Sequence, residues 1–486
     1  VNEQNILILD EQMIPDPEVR AMLQAFYSRS PMPIRERLAS LNGDDKELRA
    51  DKIRAAINRH YLGYGHASIA DCATATVFIE GVSMLAAKVI QDDPLYNGQE
   101  CSTRYLDFSK QPFLTATENE PGESLNLVQH SILEGWRDLY RQFMPKLLDW
   151  ALQNYGDETV SAELKAKTPR EQWGDLVRKS CNAIAFDVAR SLLPCGAATS
   201  VAWTTTLRRL SDRCREMTVH PLSEVRQIGR TVYTSLQKQY PNTFKVREFS
   251  YDEGLDCSHF YYNRNTESVG SEGGCVRSLW MPENYSLVDV ENIINNSMFS
   301  ALDAEFAIKE PLPRELFRRE ADHLAYFNIG GLLDFGSFRD LQRHRNGLNR
   351  LPIVGSGHVS FNSYYSNILK SVDSQLFEFV EQLVQDVGEF SKSCDLDPTE
   401  AQYLYPMGVN VDTNIHWTLG QLRYVLALRS KTSVHPTART WIHALYDHVD
   451  RYYPMFIRYL EVDKSPDYYQ SDRGEQTIKE VPSTKG

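Results

Sequence analysis

Leu193-Pro194-Cys195-Gly196, followed by Trp203-Thr204, Leu207-Arg208 and Val219-His220-Pro221, is answered further along the chain by Tyr405-Pro406-Met407-Gly408, Trp417-Thr418, Leu422-Arg423 and Val434-His435-Pro436. One short match would carry little weight. Four in one order at nearly constant spacing read as an internal duplication, each copy a supersecondary unit of the same kind. Working outward, each proline motif is preceded by a segment of helical period. Ile132, Trp136, Leu139, Phe143 and Leu147 form one apolar stripe within residues 127–156, and Leu376, Val380, Leu383, Val387 and Phe390 form another. Pro145 is expected to kink the first of these helices. In front of each helix lies an arginine-bearing motif.

The duplication sets the expected domains. Residues 1–250 read as the first repeat, 251–461 as the second, and 462–486, polar and broken by Pro466, Gly474 and Pro482, as a mobile tail. Residues 245–285 carry Asn263-Arg264-Asn265 and Gly270-Ser271-Glu272-Gly273-Gly274, a connector leading into the second copy.

Composition bounds the chemistry. With 42% hydrophobic and 24% charged residues in 486, the chain is of the globular class and long enough for two cores. Its 65 acidic against 52 basic side chains, a formal charge of −13, repel polyanions, so large nucleic acids are poor partners. A mononucleotide or flavin phosphate remains open, because a few convergent arginines can hold one inside an acidic protein. The eight cysteines include no C-x-x-C pair and the twelve histidines no H-E-x-x-H spacing, which predicts reduced thiols and no protein-held metal. The N-terminal Val1-Asn2-Glu3-Gln4-Asn5 has no basic start, and no window approaches the roughly 18 apolar residues of a spanning helix. The expectation is a cytoplasmic protein without membrane contact.

Two short segments carry candidate chemistry. If Glu100-Cys101-Ser102-Thr103-Arg104-Tyr105 is extended, Glu100, Ser102 and Arg104 share one face. That row of acceptor, hydroxyl and guanidinium suits a uracil edge and a phosphate, and it equally describes a solvated polar ladder. Cys101 would point to the opposite face as a buried thiol. The second segment, Arg343-His344-Arg345, follows the mainly apolar residues 324–338; it reads either as an anion clamp or as surface charge.

Taken together with Gly65-His66-Ala67-Ser68-Ile69-Ala70-Asp71, these segments resemble the flavin-dependent thymidylate synthases. That family's signature runs Arg-His-Arg, two residues, Ser, one residue, Asn-Glu, one residue, Ser, one residue, Arg-Tyr. The first repeat keeps the second half, Glu100-x-Ser102-x-Arg104-Tyr105, with Asp92-Asp93-Pro94 in the Arg-His-Arg slot and Gln99 for the asparagine. The second keeps Arg343-His344-Arg345 and has Leu351, Ile353 and Gly355 where Glu, Ser and Arg belong. The C-terminal motif is divided likewise: Arg190 in Ala189-Arg190-Ser191-Leu192-Leu193-Pro194 is matched by Gln402, whereas the helix ending Leu428-Arg429 has no clean counterpart near residues 212–216.

The losses are complementary, as they would be if two fused copies shared one composite site. The resemblance implies an α+β fold of two related repeats, each with a mixed or antiparallel sheet and long helices, forming a pseudo-dimer. It implies substrate contacts from Glu100, Ser102, Arg104, Arg190, Arg343 and Arg429, with Arg429 and Ser102 nearest the chemistry. FAD contacts would come from His66, Ser68, Asp71, Arg208, Arg343, His344 and Arg345. The reaction implied is methylation of dUMP to dTMP with methylenetetrahydrofolate and NADPH, with two chains pairing to imitate a tetramer. Two alternatives stay open: flavin- and folate-dependent C5 modification of another pyrimidine nucleotide, and a nucleotide-binding pseudoenzyme without catalysis.

Overall fold

The computed structural model describes residues 16–28, 31–41, 67–104, 106–115, 123–245, 272–280, 325–356 and 359–465, together with Leu7, Ile14, Tyr262, Asn263 and Asp322. His66, Tyr105 and residues 466–486 of the expected tail lie outside them. The chain forms two compact units. One comprises Val1–Glu80, Leu95–Glu100 and Ser200–Ser258; the other comprises Gly81–Pro94, Cys101–Thr199 and His259–Gly486.

The first unit is built on a three-stranded sheet of order β1-β3-β2, with β1 Thr74–Ser83, β2 Asn97–Glu100 and β3 Ala198–Thr206. After β3 come the helices Leu207–Met217 and Ser223–Gln239. The N-terminal helix Pro17–Tyr27 is tied to this unit through the Glu18 carboxylate, which accepts from Asn242 Nδ2 at 2.9 Å and Thr243 N at 3.1 Å.

A five-stranded sheet of order β4-β7-β8-β6-β5 is the base of the second unit. Its strands are β4 Tyr262–Asn263, β5 Cys275–Trp280, β6 Tyr326–Asp334, β7 Leu348–Pro352 and β8 Asn410–Thr418. Only β4 and β7 run parallel. Both periodic segments fold as expected. The helix Glu123–Asn154, with Pro145 inside it, packs against Trp173–Ala189 and against Ser374–Ser393. Gly135 permits the close approach of Leu383, which would lie 3.2 Å from an added Cβ. Trp136, Tyr140, Phe143 and Leu147 are buried, and the Trp136 indole donates to Leu404 O at 2.9 Å, so this stripe carries much of the unit's core.

Sequence equivalence between the copies extends to strand register. In the first copy Asn97 opposes Thr204 and Gly98 opposes Trp203; in the second Leu348 opposes His416 and Asn349 opposes Ile415. β3 ends at Thr206, whose hydroxyl caps the next helix by accepting from Arg209 N, and β8 ends at Thr418, which does the same for Gln421 N. Ser83 and Asp334 play this part after β1 and β6. The register corrects part of the sequence match: Trp203 corresponds to Ile415, not Trp417, and Leu207-Arg208 to Leu419-Gly420, not Leu422-Arg423. The capping threonines fix the strand-to-helix junction, and the tryptophans sit two positions out of step around it.

The proline motifs meet in the second unit. Cys195 N donates to Tyr405 O at 2.9 Å and Met407 N to Leu193 O at 2.8 Å. Gly196 N donates to Tyr403 O and Gly408 N to Ser191 O, with Pro194 bridged to Pro406. Each bond of one copy is thus returned by the equivalent bond of the other, a local two-fold relation. Glycine is required there, since a Cβ on Gly196 would lie 2.4 Å from Leu114 O and one on Gly408 would lie 2.6 Å from the Phe361 ring.

Candidate functional site

The predicted strand through Arg104 does not form. β2 ends at Glu100, and the chain then turns, with Ser102 Oγ accepting from Arg104 N at 3.3 Å and Ser102 O from Leu106 N at 3.2 Å. The expected shared face of Glu100, Ser102 and Arg104 is therefore absent, because Ser102 closes a turn on its own backbone. The same turn leaves Cys101 partly exposed where alternation had predicted a buried thiol.

The turn delivers Arg104 onto Asp187, its Nε and Nη2 lying 2.6 and 3.0 Å from the two carboxylate oxygens. Such a fork is planar and directional. Asp187 sits near the end of the helix Trp173–Ala189, and the short 3-10 turn that follows begins with Arg190. Buried to 2% exposure, Arg190 donates from Nη2 to Ser337 Oγ at 3.0 Å, and its Nη1 lies 3.6 Å from Asp340 Oδ2. Ser337 and Asp340 belong to the helix Phe335–Leu341 of the second copy.

Immediately after that helix, Arg343 reaches back to Asp340 at 3.5 Å with its side chain half exposed. His344 is buried, and its Nε2 accepts from Arg429 Nε at 2.8 Å. Arg429 ends the helix Leu419–Arg429 and also donates to Asp340 O at 2.8 Å. The structure thus brings together Arg104 and Arg190 of the first copy with Arg343, His344 and Arg429 of the second. Arg345 donates to Arg343 O at 3.3 Å within the same turn.

Electrostatics follow from this crowding. Burial alone would raise the Asp340 carboxyl, but the guanidiniums of Arg343, Arg190, Arg429 and Arg104 together hold it far below the usual carboxylate range. The His344 imidazole is pushed down to about 3, first by burial and then by Arg429, so it is neutral and can accept that arginine's proton donor. Asp334, fully buried, is pushed up by burial against the pull of Arg190. Four guanidiniums therefore face the three carboxylates of Asp187, Asp334 and Asp340, leaving positive charge in excess beside the half-exposed Arg343.

Sequence reasoning missed Asp187 and Asp340. Their signal was helical spacing, each lying three residues before an arginine of interest. The repeated histidines proved structural. His435 Nδ1 accepts from Thr437 N at 3.3 Å while Nε2 contacts Asp187 O at 3.1 Å, which assigns the neutral Nε2–H tautomer. His220 accepts from Leu222 N at 3.1 Å in the same manner.

The remaining expected residues belong to the first unit. Glu100 ends β2 opposite Val201. Ser68 is exposed in the turn Ala67–Cys72, and Asp71 in that turn pairs with Arg208 at 2.9 Å. Among the described residues no cluster of histidine, cysteine or acidic side chains could hold a metal, and no helix is long and apolar enough to cross a membrane.

Fold and site define an α+β protein with two largely antiparallel sheets, long helices and an arginine cluster built around Asp187 and Asp340. Residues 9–242 match the model of the thymidylate synthase complementing protein family. Over nearly its whole length the chain is also similar to UPF0159 proteins. One from Chlamydia pneumoniae is 23% identical over 96% of this chain and 94% of its own; one from Thermoplasma acidophilum is 22% identical over 92% and 96%. Among solved structures, the flavin-dependent thymidylate synthase of Helicobacter pylori complexed with FAD and dUMP aligns at 16% identity. That alignment covers 47% of this chain and 94% of the other, with a TM-score of 0.29.

Proposed function

We propose that the arginine cluster binds the phosphate of a pyrimidine nucleoside monophosphate. The reaction proposed is methylation of dUMP at C5 to dTMP, with methylenetetrahydrofolate as carbon donor, FAD as cofactor and NADPH as reductant. One observation carries the reading: Asp340 lies among four guanidiniums drawn from both copies, which outnumber the carboxylates beside them and leave positive charge for an anion. The family of residues 9–242 supports the choice of nucleotide chemistry.

Only a cation at the edge of the cluster can meet a flavin. Arg343, half exposed and touching Asp340 only loosely, fits an anionic ring or phosphate; His344 does not, because its ring is buried and engaged by Arg429. Arg343 would hold the anionic part of a flavin, and the chemistry such a cofactor would supply is hydride transfer. The chain's own work is positional. Asp187 fixes the plane of Arg104, and Ser337 and Asp340 hold Arg190, so two donors are oriented before substrate arrives. His344 and the Asp340 carbonyl hold Arg429 where its charge can stabilise an oxyanion forming on the pyrimidine. Ser102 acts through the turn that aims Arg104. Arg345, in the turn beside Arg343, is a secondary contact.

Anaerobic incubation with dUMP, methylenetetrahydrofolate, FAD and NADPH, followed by mass analysis of the nucleotide, is expected to yield a product heavier by one methylene unit. Unchanged dUMP beside tightly bound flavin would move the reaction to another acceptor. A colourless protein that cannot be reconstituted would favour the pseudoenzyme.

A further inference from the structure

We infer that each chain binds one nucleotide, the site related by the internal duplication having been filled by the protein's own residues. The inference rests on reading the arginine cluster as an anion site. Duplicated register makes the related position identifiable residue by residue. β2 begins at Asn97 and β7 at Leu348 with matching partners, which sets Gly355 against Arg104, Asp92 against Arg343, Asp93 against His344 and Val89 against Asp340. Matching strand and helix ends set Gln402 against Arg190 and Met217 against Arg429.

None of the four arginines has a cationic counterpart. Two of the related residues, Asp92 and Asp93, are acidic, so an arriving phosphate would meet repulsion. Space is closed as well. Gly355 has φ +85°, and any Cβ on it would lie 2.0 Å from the Tyr405 ring, so that ring occupies the volume into which an arginine would project. Gln402, buried, spends both ends of its amide on the backbone: Oε1 accepts from Val354 N at 3.1 Å and Nε2 donates to Thr399 O at 2.9 Å. Val89 is buried at the position of Asp340. An anion there would be desolvated without a paired charge. The loss is therefore a conversion, in which glutamine and tyrosine brace the fold where the other site keeps arginines.

Calorimetric titration of the full chain with dUMP and, in parallel, with inorganic phosphate tests this, using the wild type, Arg190→Gln and Arg343→Ala. Arg190→Gln installs the residue that the related position already tolerates, and Arg343 is exposed enough for its removal to leave folding intact. The expected result is one ligand per chain in the wild type. A loss of affinity of at least a hundredfold is expected in Arg190→Gln and about tenfold in Arg343→Ala, with no second class of sites in either. Two ligands per wild-type chain, or one retained at wild-type affinity in Arg190→Gln, would overturn the inference. Phosphate binding once per chain while dUMP does not bind would preserve the count and reject the nucleotide assignment. Failure of both ligands to bind would overturn the count together with the anion site itself.

Discussion

At Asp340 two large effects oppose each other, and the outcome decides what the site can hold. Burial disfavours the charged carboxylate, yet four guanidiniums hold it ionised well below its ordinary range. Asp340→Asn would leave buried cations facing one another, and breaking such a pairing costs about 3–5 kcal/mol. Chemical denaturation should register that loss, and added phosphate should restore more stability to Asp340→Asn than to the wild type, because an anion would replace the missing charge. Equal response to phosphate would contradict the assignment. His344 contributes to the pH dependence alongside the buried His220 and His435, whose imidazoles burial also pushes down. Its folded value, about 3, lies below the ordinary 6.5, so the unfolded chain takes up a proton first and stability falls as pH drops from about 6.5 towards 3. His344→Gln should remove roughly 1.4 kcal/mol per pH unit from the slope of unfolding free energy in that window. An unchanged slope would mean that the ring is not held neutral.

At the scale of elements, the paired proline motifs hold the copies together through four reciprocal backbone bonds, and both glycines in them are sterically obligatory. Gly196→Ala and Gly408→Ala should each destabilise by at least about 2 kcal/mol, as overpacking of a closed interior does. Gly174→Ala, in a helix with open space around its Cα, should be neutral or stabilise by up to about 1 kcal/mol. Differential melting of the three variants checks this contrast. Both long helices and the two proline motifs were legible because apolar period and the Pro-x-Gly pattern stand out in the sequence. The register at Trp203 and Trp417 was not, since it depends on capping threonines that look like any other threonine in a strand. Ser102 misled for a related reason: alternation describes a strand only while the strand lasts, and a hydroxyl that can accept from a backbone N–H two residues on can end it. Arg104, Arg190, Arg343 and Arg429 were readable from the complementary losses; their acidic partners were not, because an aspartate on a helix is ordinary until its neighbours are known.

On the scale of the whole molecule, a chain of net charge −13 keeps a small cationic centre fed by both copies. Long-range repulsion then opposes the local attraction that binds an anion, and added salt screens both. Because the arginines lie close to the bound phosphate, the local attraction should dominate, and dUMP affinity is expected to fall as ionic strength rises. The same fusion makes the two copies dependent on each other, since neither carries the full set of cations. Equilibrium dialysis of dUMP against Arg190→Gln and Arg429→Gln, one substitution in each copy, tests that dependence most directly. The account predicts that, folded by circular dichroism, Arg190→Gln loses at least a hundredfold in affinity and Arg429→Gln at least tenfold; wild-type affinity in either one would contradict a site shared between the copies.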